Sequence, residues 1–137
     1  MPEFEHQALN LNNIGRPLVY TALSKHLFYF KDHISKHVLD NGGVPLNPFM
    51  TFGYFMLDTV DRDVVREANN TLVARADQLW VYGAVSDGVL AEIIQAKERE
   101  KPIRYFGVVA SREIVEYTKE DAPMEDEVAG QRAILIA

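Results

Sequence analysis

Short apolar segments alternate along this chain with stretches in which apolar residues recur at helical spacing. The order strand, helix, strand, helix, strand, helix, strand is typical of an α/β protein with a parallel sheet and right-handed crossovers. The apolar segments, which predict strands, are residues 17–23, 44–46, 78–82 and 103–109. The amphipathic stretches, which predict helices, are residues 27–39, 58 or 61 to 76, and 86–100.

This alternation predicts a three-layer sandwich, in which a parallel sheet of four to five strands carries helices on both faces, as in Rossmann-like and flavodoxin-like proteins. The length of 137 residues suits one domain of this kind. A polar arm, residues 1–16, precedes the α/β core, residues 17–110. Residues 111–137 form a C-terminal extension with an acidic segment and an apolar end, which we expect at an oligomer interface.

The composition narrows the classes of partner. The chain carries 20 acidic and 14 basic residues, and this balance argues against a nucleic acid polymer, whose phosphates require clustered Lys and Arg. No apolar run approaches the roughly 20 residues of a membrane helix, and residues 1–13 lack the features of a signal peptide. The absence of cysteine excludes disulfides and thiolate metal sites. We therefore expect a cytoplasmic protein that binds a small molecule without a metal or a cofactor.

Three loops are candidates for binding that molecule. Ligands of open parallel sheets bind beyond the carboxyl ends of the strands, where the loops begin at Ser24, Asn47 and Gly83. The loop from Gly83 is the most informative, because it contains two glycines and a good N-cap residue, Ser86 or Asp87. An anionic group would rest on backbone N–H groups at the helix starts, at residues 86–88 or 24–27.

A carboxylate, Glu92, follows the third of these loops on the predicted helix. It lies about one turn beyond Asp87 and Gly88, so the three residues share a face near the carboxyl edge of the sheet. Two interpretations stand at this point. Either the carboxylate faces the ligand, or it is a solvated acidic residue that the helix dipole favours.

Segments around this loop resemble the nucleoside 2-deoxyribosyltransferase-like superfamily, which includes base-exchanging transferases and N-glycosidases of nucleoside monophosphates. The resemblance covers roughly residues 17–108. The segments that carry it are residues 79–83 (LWVYG), 86–88 (SDG), 91–92 (AE) and 101–103 (KPI), with residues 75–77 (RAD) and 44–48 (VPLNP) in support.

The resemblance implies a reaction at an N-glycosidic bond, in which Glu92 attacks the sugar and Tyr20 orients this nucleophile. Asn69 falls near the position of an Asp that handles the leaving base in the transferases. Because an amide cannot donate a carboxylic proton, that proton would come from Asp87, Asp63 or water. The residues that we assign to substrate binding are Ser24, Lys25, Asn47, Asn69, Ser86 and Gly88.

Two classes of function remain open. The first is an enzyme, a nucleoside 2-deoxyribosyltransferase or a nucleotide N-glycosidase, that forms a glycosyl-enzyme intermediate. The second is a non-catalytic module that binds or senses a nucleotide on the same fold. The base, the sugar, the need for a 5′-phosphate and the choice between transfer and hydrolysis stay open. The resemblance also implies a homo-oligomer, a dimer or higher, with active sites shared between subunits.

Three weaker patterns each admit two interpretations. Asn69 and Asn70 in mid-helix indicate either a polar site that faces the ligand or a hydrogen bond between helices. His33 and His37 have a spacing that can bind zinc, but we expect them on a solvated helix face. Aromatic residues that could stack on a base, or pack in the core or a dimer interface, are Tyr29, Phe49, Phe52, Tyr54 and Phe55.

Overall fold

The computed structural model describes residues 3–52, 59–110 and 112–137 and shows an α/β protein with one five-stranded sheet. The strands are β1 (Leu18–Leu23), β2 (Val44–Leu46), β3 (Gln78–Tyr82), β4 (Ile103–Val109) and β5 (Glu113–Tyr117), in the spatial order β2-β1-β3-β4-β5. The α-helices are α1 (Lys31–Asp40), α2 (Pro48–Thr51), α3 (Arg62–Arg75), α4 (Asp87–Glu98) and α5 (Arg132–Ile136). Short 3-10 helices span Gln7–Asn10, Lys25–Phe30 and Asp126–Gln131.

Four strands of the sheet are parallel. The pairs are β1 with β2, β1 with β3, and β3 with β4, and they confirm the four predicted strands to within one residue at each end. The strand β5 is antiparallel to β4, so the expectation of a wholly parallel sheet is wrong at this edge. Only residues 110–112 separate β4 from β5, whereas a parallel return requires a crossover of about a dozen residues or more.

Local side chains explain where two of the helices begin and end. The helix α3 begins after Asp61, whose Oδ1 accepts a hydrogen bond of 2.8 Å from the Asp63 amide. The other predicted start, Asp58, lies outside the described residues. The helix α1 ends just before Gly42, whose φ of +85° is a left-handed conformation that glycine adopts without strain.

The buried core consists of two clusters. One contains Val19 and Trp80 together with Ile34 of α1. The other contains Tyr20 together with Ile93 of α4 and residues of α3. Because successive residues of a strand point to opposite faces of a sheet, the neighbours Val19 and Tyr20 belong to different clusters.

The C-terminal extension folds onto the core of its own chain. Ala122, Val128 and Leu135 are buried in the same cluster as the residues of α3 and α4. Val85, in the loop after β3, also forms a parallel β-bridge with Met124. The apolar end therefore contributes to the core, a role that we did not expect from the sequence.

The two ends of the predicted core differ in their packing. Residues 3–16 of the arm are exposed throughout. Residue 111, with which we began the extension, lies outside the described residues.

None of the described helices has the length and apolarity that crossing a membrane requires.

His37 is half-buried and contacts the sheet, so the expectation that it lies on a solvated helix face is wrong. Its Nδ1 lies 2.7 Å from the Tyr82 hydroxyl, and its ring packs edge-on against Phe106 with 4.7 Å between centroids. Burial lowers the pKa of His37, and the nearby Arg104 lowers it further. The partners belong to β3 and β4, far along the chain, and the helical pattern alone does not reveal them.

Candidate functional site

A cavity of about 980 Å³ lies at the carboxyl ends of β1 and β3. Its walls come from the loop after β1, from α3, from the first turns of α4 and from residues 125–127 of the C-terminal extension. This is the edge of the sheet where parallel topology places ligands. The predicted site residues that line the cavity are Ser24, Lys25, Asn69, Ser86, Asp87, Gly88 and Glu92.

Glu92 and Tyr20 are joined by a hydrogen bond. The Tyr20 hydroxyl, on the fully buried side chain in β1, donates to Oε2 of Glu92 on α4. Burial raises the pKa of Glu92 to about 7, although the hydrogen bond from Tyr20 acts in the opposite direction. Burial also raises the pKa of Tyr20, and the Glu92 charge adds to this rise. Glu92 is therefore not the solvated acidic residue of the alternative interpretation, and the expected contact with Tyr20 is present.

A second, smaller cavity of about 110 Å³ is also lined by Glu92. It shares Leu23, Asn69 and Glu92 with the larger cavity. Phe49 and Phe52 also line this recess, so two of the predicted aromatic residues lie beside Glu92. Of the others, Tyr29 is 87% exposed, and residues 54 and 55 lie outside the described residues.

Asn69 lies in α3 and lines both cavities. Its Oδ1 is buried and has no hydrogen-bond partner among the described residues. A buried acceptor without a partner costs on the order of 1–3 kcal/mol, and a donor on a ligand would remove that cost. Asn70 instead accepts a 2.8 Å hydrogen bond from Gln95 of α4. The expected hydrogen bond between helices is therefore made by Asn70, whereas Asn69 lies at the two cavities.

The N-terminus of α4 already has hydrogen-bond partners for its first amides. Ser86 Oγ accepts from the Val89 amide at 3.3 Å, and Asp87 Oδ1 accepts from the Gly88 amide at 2.6 Å. The Asp87 amide lies 3.4 Å from Oε1 of Glu127, to which it donates. At residues 86–88, one of the two helix starts to which the sequence assigned a phosphate, the amides of Asp87 and Gly88 therefore already donate to side-chain oxygens.

The acidic residues of the C-terminal extension were not assigned to the site from the sequence. Glu125, Asp126 and Glu127 all line the larger cavity, and Oε1 of Glu125 lies 3.5 Å from Nε2 of His26. Arg66 of α3 lines the cavity as well and was also missed. Only two signals could have placed Arg66 at the site: the helical period of α3 and the position of this helix beside β1.

Asn47 lines neither cavity, so the structure does not bring it together with the other predicted binding residues. It is 3% exposed, and its Oδ1 caps α2 by accepting a 3.1 Å hydrogen bond from the Phe49 amide. Its Nδ2 lies 3.4 Å from the Lys31 carbonyl and 3.5 Å from Ser35 Oγ. Asn47 thus fixes the loop after β2, and this local role explains its position at the end of the strand.

The arrangement has the parts of a site for a reaction at an electrophilic carbon. A carboxylate with a raised pKa lines both the larger cavity and the aromatic recess, and perturbed groups in clefts are candidate functional groups. A family model described as "Domain of unknown function (DUF7768)" matches residues 20–106. This interval includes Tyr20 and Glu92 and ends before the acidic residues 125–127. No curated protein matches the chain significantly.

Proposed function

Since the chain belongs to the family described as a domain of unknown function, DUF7768, we propose its function from the site itself. The protein breaks the N-glycosidic bond of a nucleoside or nucleoside monophosphate and transfers the sugar to water or to another base. The resemblance to the nucleoside 2-deoxyribosyltransferase-like superfamily implies this reaction. The observation that carries this proposal is the half-buried Glu92, which accepts a hydrogen bond from Tyr20 and lines both cavities.

In the proposed reaction, Glu92 is the nucleophile. As the bond between C1′ and the base nitrogen breaks, its electron pair goes to the base, and positive charge develops on C1′ and the ring oxygen. The carboxylate stabilises that charge and bonds to C1′, which gives a glycosyl-enzyme intermediate. Water or a second base then attacks C1′ and releases Glu92. Tyr20 is a positioning residue, because its hydroxyl holds one carboxylate oxygen and leaves the other for C1′.

The base would lie in the aromatic recess beside Glu92. Phe49 and Phe52 offer apolar surface there, and the buried Oδ1 of Asn69 offers an acceptor to an N–H group of the ligand. Asn69 cannot protonate the leaving base, so the proton comes from water or from the carboxylic acid form of Asp87, whose side chain also lines the larger cavity.

The finer architecture belongs to the same proposal. We infer a three-layer, Rossmann-like sandwich, which the separate core clusters around α1 and around α3 and α4 support. We also infer a homo-oligomer, a dimer or higher. Large apolar side chains that are exposed in the N-terminal arm support it, and they are Phe4, Leu9, Leu11 and Ile14.

A non-catalytic nucleotide-binding module is the second candidate. One observation favours it: the position beside Glu92 at which an acid would assist the leaving base holds an amide, Asn69. Such a module would bind a nucleoside or nucleotide in the same two cavities and release no base.

The test is base release from a panel of nucleosides and nucleoside monophosphates, followed by chromatography. Glu92→Gln keeps the shape of the side chain and removes its charge, and the rate should fall by at least about a thousandfold. Glu98→Gln, which changes an exposed carboxylate of the same helix, should leave the rate unchanged. Mass spectrometry of the wild type during turnover should show the glycosyl adduct on Glu92.

Two results decide against the enzyme. Full activity of Glu92→Gln would remove the proposed nucleophile. Binding of a nucleoside by calorimetry, with no base released from any member of the panel, would favour the binding module.

A further inference from the structure

Residues 125–127, which line the larger cavity, lie in a segment that is hydrogen-bonded to the loop after β3. The Val85 amide donates to the Pro123 carbonyl, and the Glu125 amide donates to the Val85 carbonyl, both at 2.9 Å. On either side of the segment, Ala122 and Val128 are buried in the core. The fold therefore fixes the backbone of this segment beside the larger cavity, and Glu127 reaches the start of α4.

Glu127 and two side chains of the helix start itself, Ser86 and Asp87, occupy the amides that a phosphate would need there. A helix N-terminus binds anions through free amides and its positive dipole end. Here the three amides already have side-chain acceptors. The Asp87 amide donates to Glu127, the Gly88 amide to Asp87, and the Val89 amide to Ser86. The amide of Leu90 donates to the Ser86 carbonyl, so the first turn offers no vacant amide among these residues.

The charge of the cavity acts in the same direction. Apart from Glu92, the described lining carries four carboxylates against the permanent cations Lys25 and Arg66. A phosphate monoester carries about −1.5 to −2 charges at pH 7, and like charges at close range repel one another within a partly enclosed cleft. The four carboxylates are Asp87, Glu125, Asp126 and Glu127.

We propose that residues 125–127 form a charge filter that excludes phosphorylated ligands, so that the site accepts an unphosphorylated nucleoside and rejects its 5′-monophosphate. This inference rests on the proposed function and decides one question that it leaves open. The filter lies outside residues 20–106, so it is an element of this chain beyond the part that the family model matches.

The experiment compares one nucleoside with its own 5′-monophosphate, by calorimetric Kd and by kcat/KM for base release. The wild type should prefer the nucleoside at least about tenfold, and the preference should shrink at high salt, which screens the repulsion. In the double variant Glu125→Gln/Glu127→Gln the ratio should fall at least about tenfold. Glu120→Gln changes an exposed carboxylate of the same extension outside the cavity and should leave the ratio unchanged.

The outcomes separate the filter from the proposed function. A monophosphate that binds or reacts as well as the nucleoside in the wild type overturns the filter, because Glu127 would then be a displaceable occupant of the phosphate position. The proposed function survives that result. An unchanged ratio in the double variant also overturns the filter. If neither ligand binds or reacts in the wild type or the variant, the proposed function fails, and the filter with it.

Discussion

Two opposing influences act on the carboxyl group of Glu92. Burial raises its pKa to about 7, and the hydrogen bond from Tyr20 opposes this rise because it stabilises the charged form. An unperturbed glutamate titrates near 4.3 and would stay ionised across the neutral range. Glu92 instead changes its charge close to neutral pH, so its ability to act as a nucleophile depends on pH.

We expect kcat/KM for base release to rise as the pH increases through about 7, because only the ionised carboxylate attacks C1′. Tyr20→Phe removes the hydrogen bond that stabilises the charge, so the pKa of Glu92 should rise and the midpoint should move to higher pH. Tyr29→Phe, at an 87% exposed side chain, is the matched control and should keep the wild-type midpoint. A Tyr20→Phe profile that superimposes on the wild type would contradict the role of Tyr20.

At the scale of elements, the start of α4 determines the direction in which Glu92 points. Ser86 caps this helix through its hydroxyl, and the helix then carries Glu92 toward Tyr20 about two turns later. The 3-10 helix Lys25–Phe30 on the opposite wall begins after Ser24, whose side chain makes no capping hydrogen bond. Both serines immediately precede a helix, but only Ser86 makes a capping hydrogen bond with its side chain.

Ser86→Ala should therefore lower the free energy of unfolding by about 1 kcal/mol, the usual cost of removing an N-cap hydroxyl. Ser24→Ala is the matched control, and its loss should be smaller because no capping hydrogen bond is removed. Urea denaturation followed by circular dichroism measures both changes. Equal losses in the two variants would show that the Ser86 hydroxyl does not stabilise α4.

At the scale of the whole molecule, the parallel part of the fold could be predicted and the antiparallel edge could not. The four parallel strands are apolar segments bounded by turn signals, which are local patterns. The strand β5 contains only exposed and half-buried residues and lies in an acidic stretch, so its apolar signal is weak. Its antiparallel direction follows from the short connection to β4. The length of that connection can be used in a prediction only once the strand itself has been recognised.

The candidate site divides in the same way. Glu92 and Tyr20 could be predicted to meet, because family-like motifs and the carboxyl-edge rule bring the same elements together. The sequence alone does not distinguish Asn47, which caps α2, from an asparagine that binds a ligand, because both roles use the same side-chain amide. The place of Glu127 depends on the bridge between Val85 and Met124, a contact between distant parts of the chain that no local pattern encodes.

The packing of the C-terminal extension predicts that it unfolds together with the sheet. Leu135 is 1% exposed and belongs to the main core cluster, whereas Ile136, its neighbour in α5, is 41% exposed. Leu135→Ala should lower the free energy of unfolding by about 2–4 kcal/mol, because it removes buried methyl groups and leaves a cavity. Ile136→Ala, the matched control, should cost well under half as much.

Two probes can follow this unfolding: the fluorescence of Trp80, the only tryptophan of the sequence, and circular dichroism. Trp80 lies in β3, in the other core cluster from Leu135. If extension and sheet form one cooperative unit, the two probes should give coincident transitions in the wild type, and Leu135→Ala should shift both by the same amount. A shift in circular dichroism alone, or equal losses for Leu135→Ala and Ile136→Ala, would mean that the extension is only loosely attached. Residues 125–127 would then lack the rigid support that a charge filter requires.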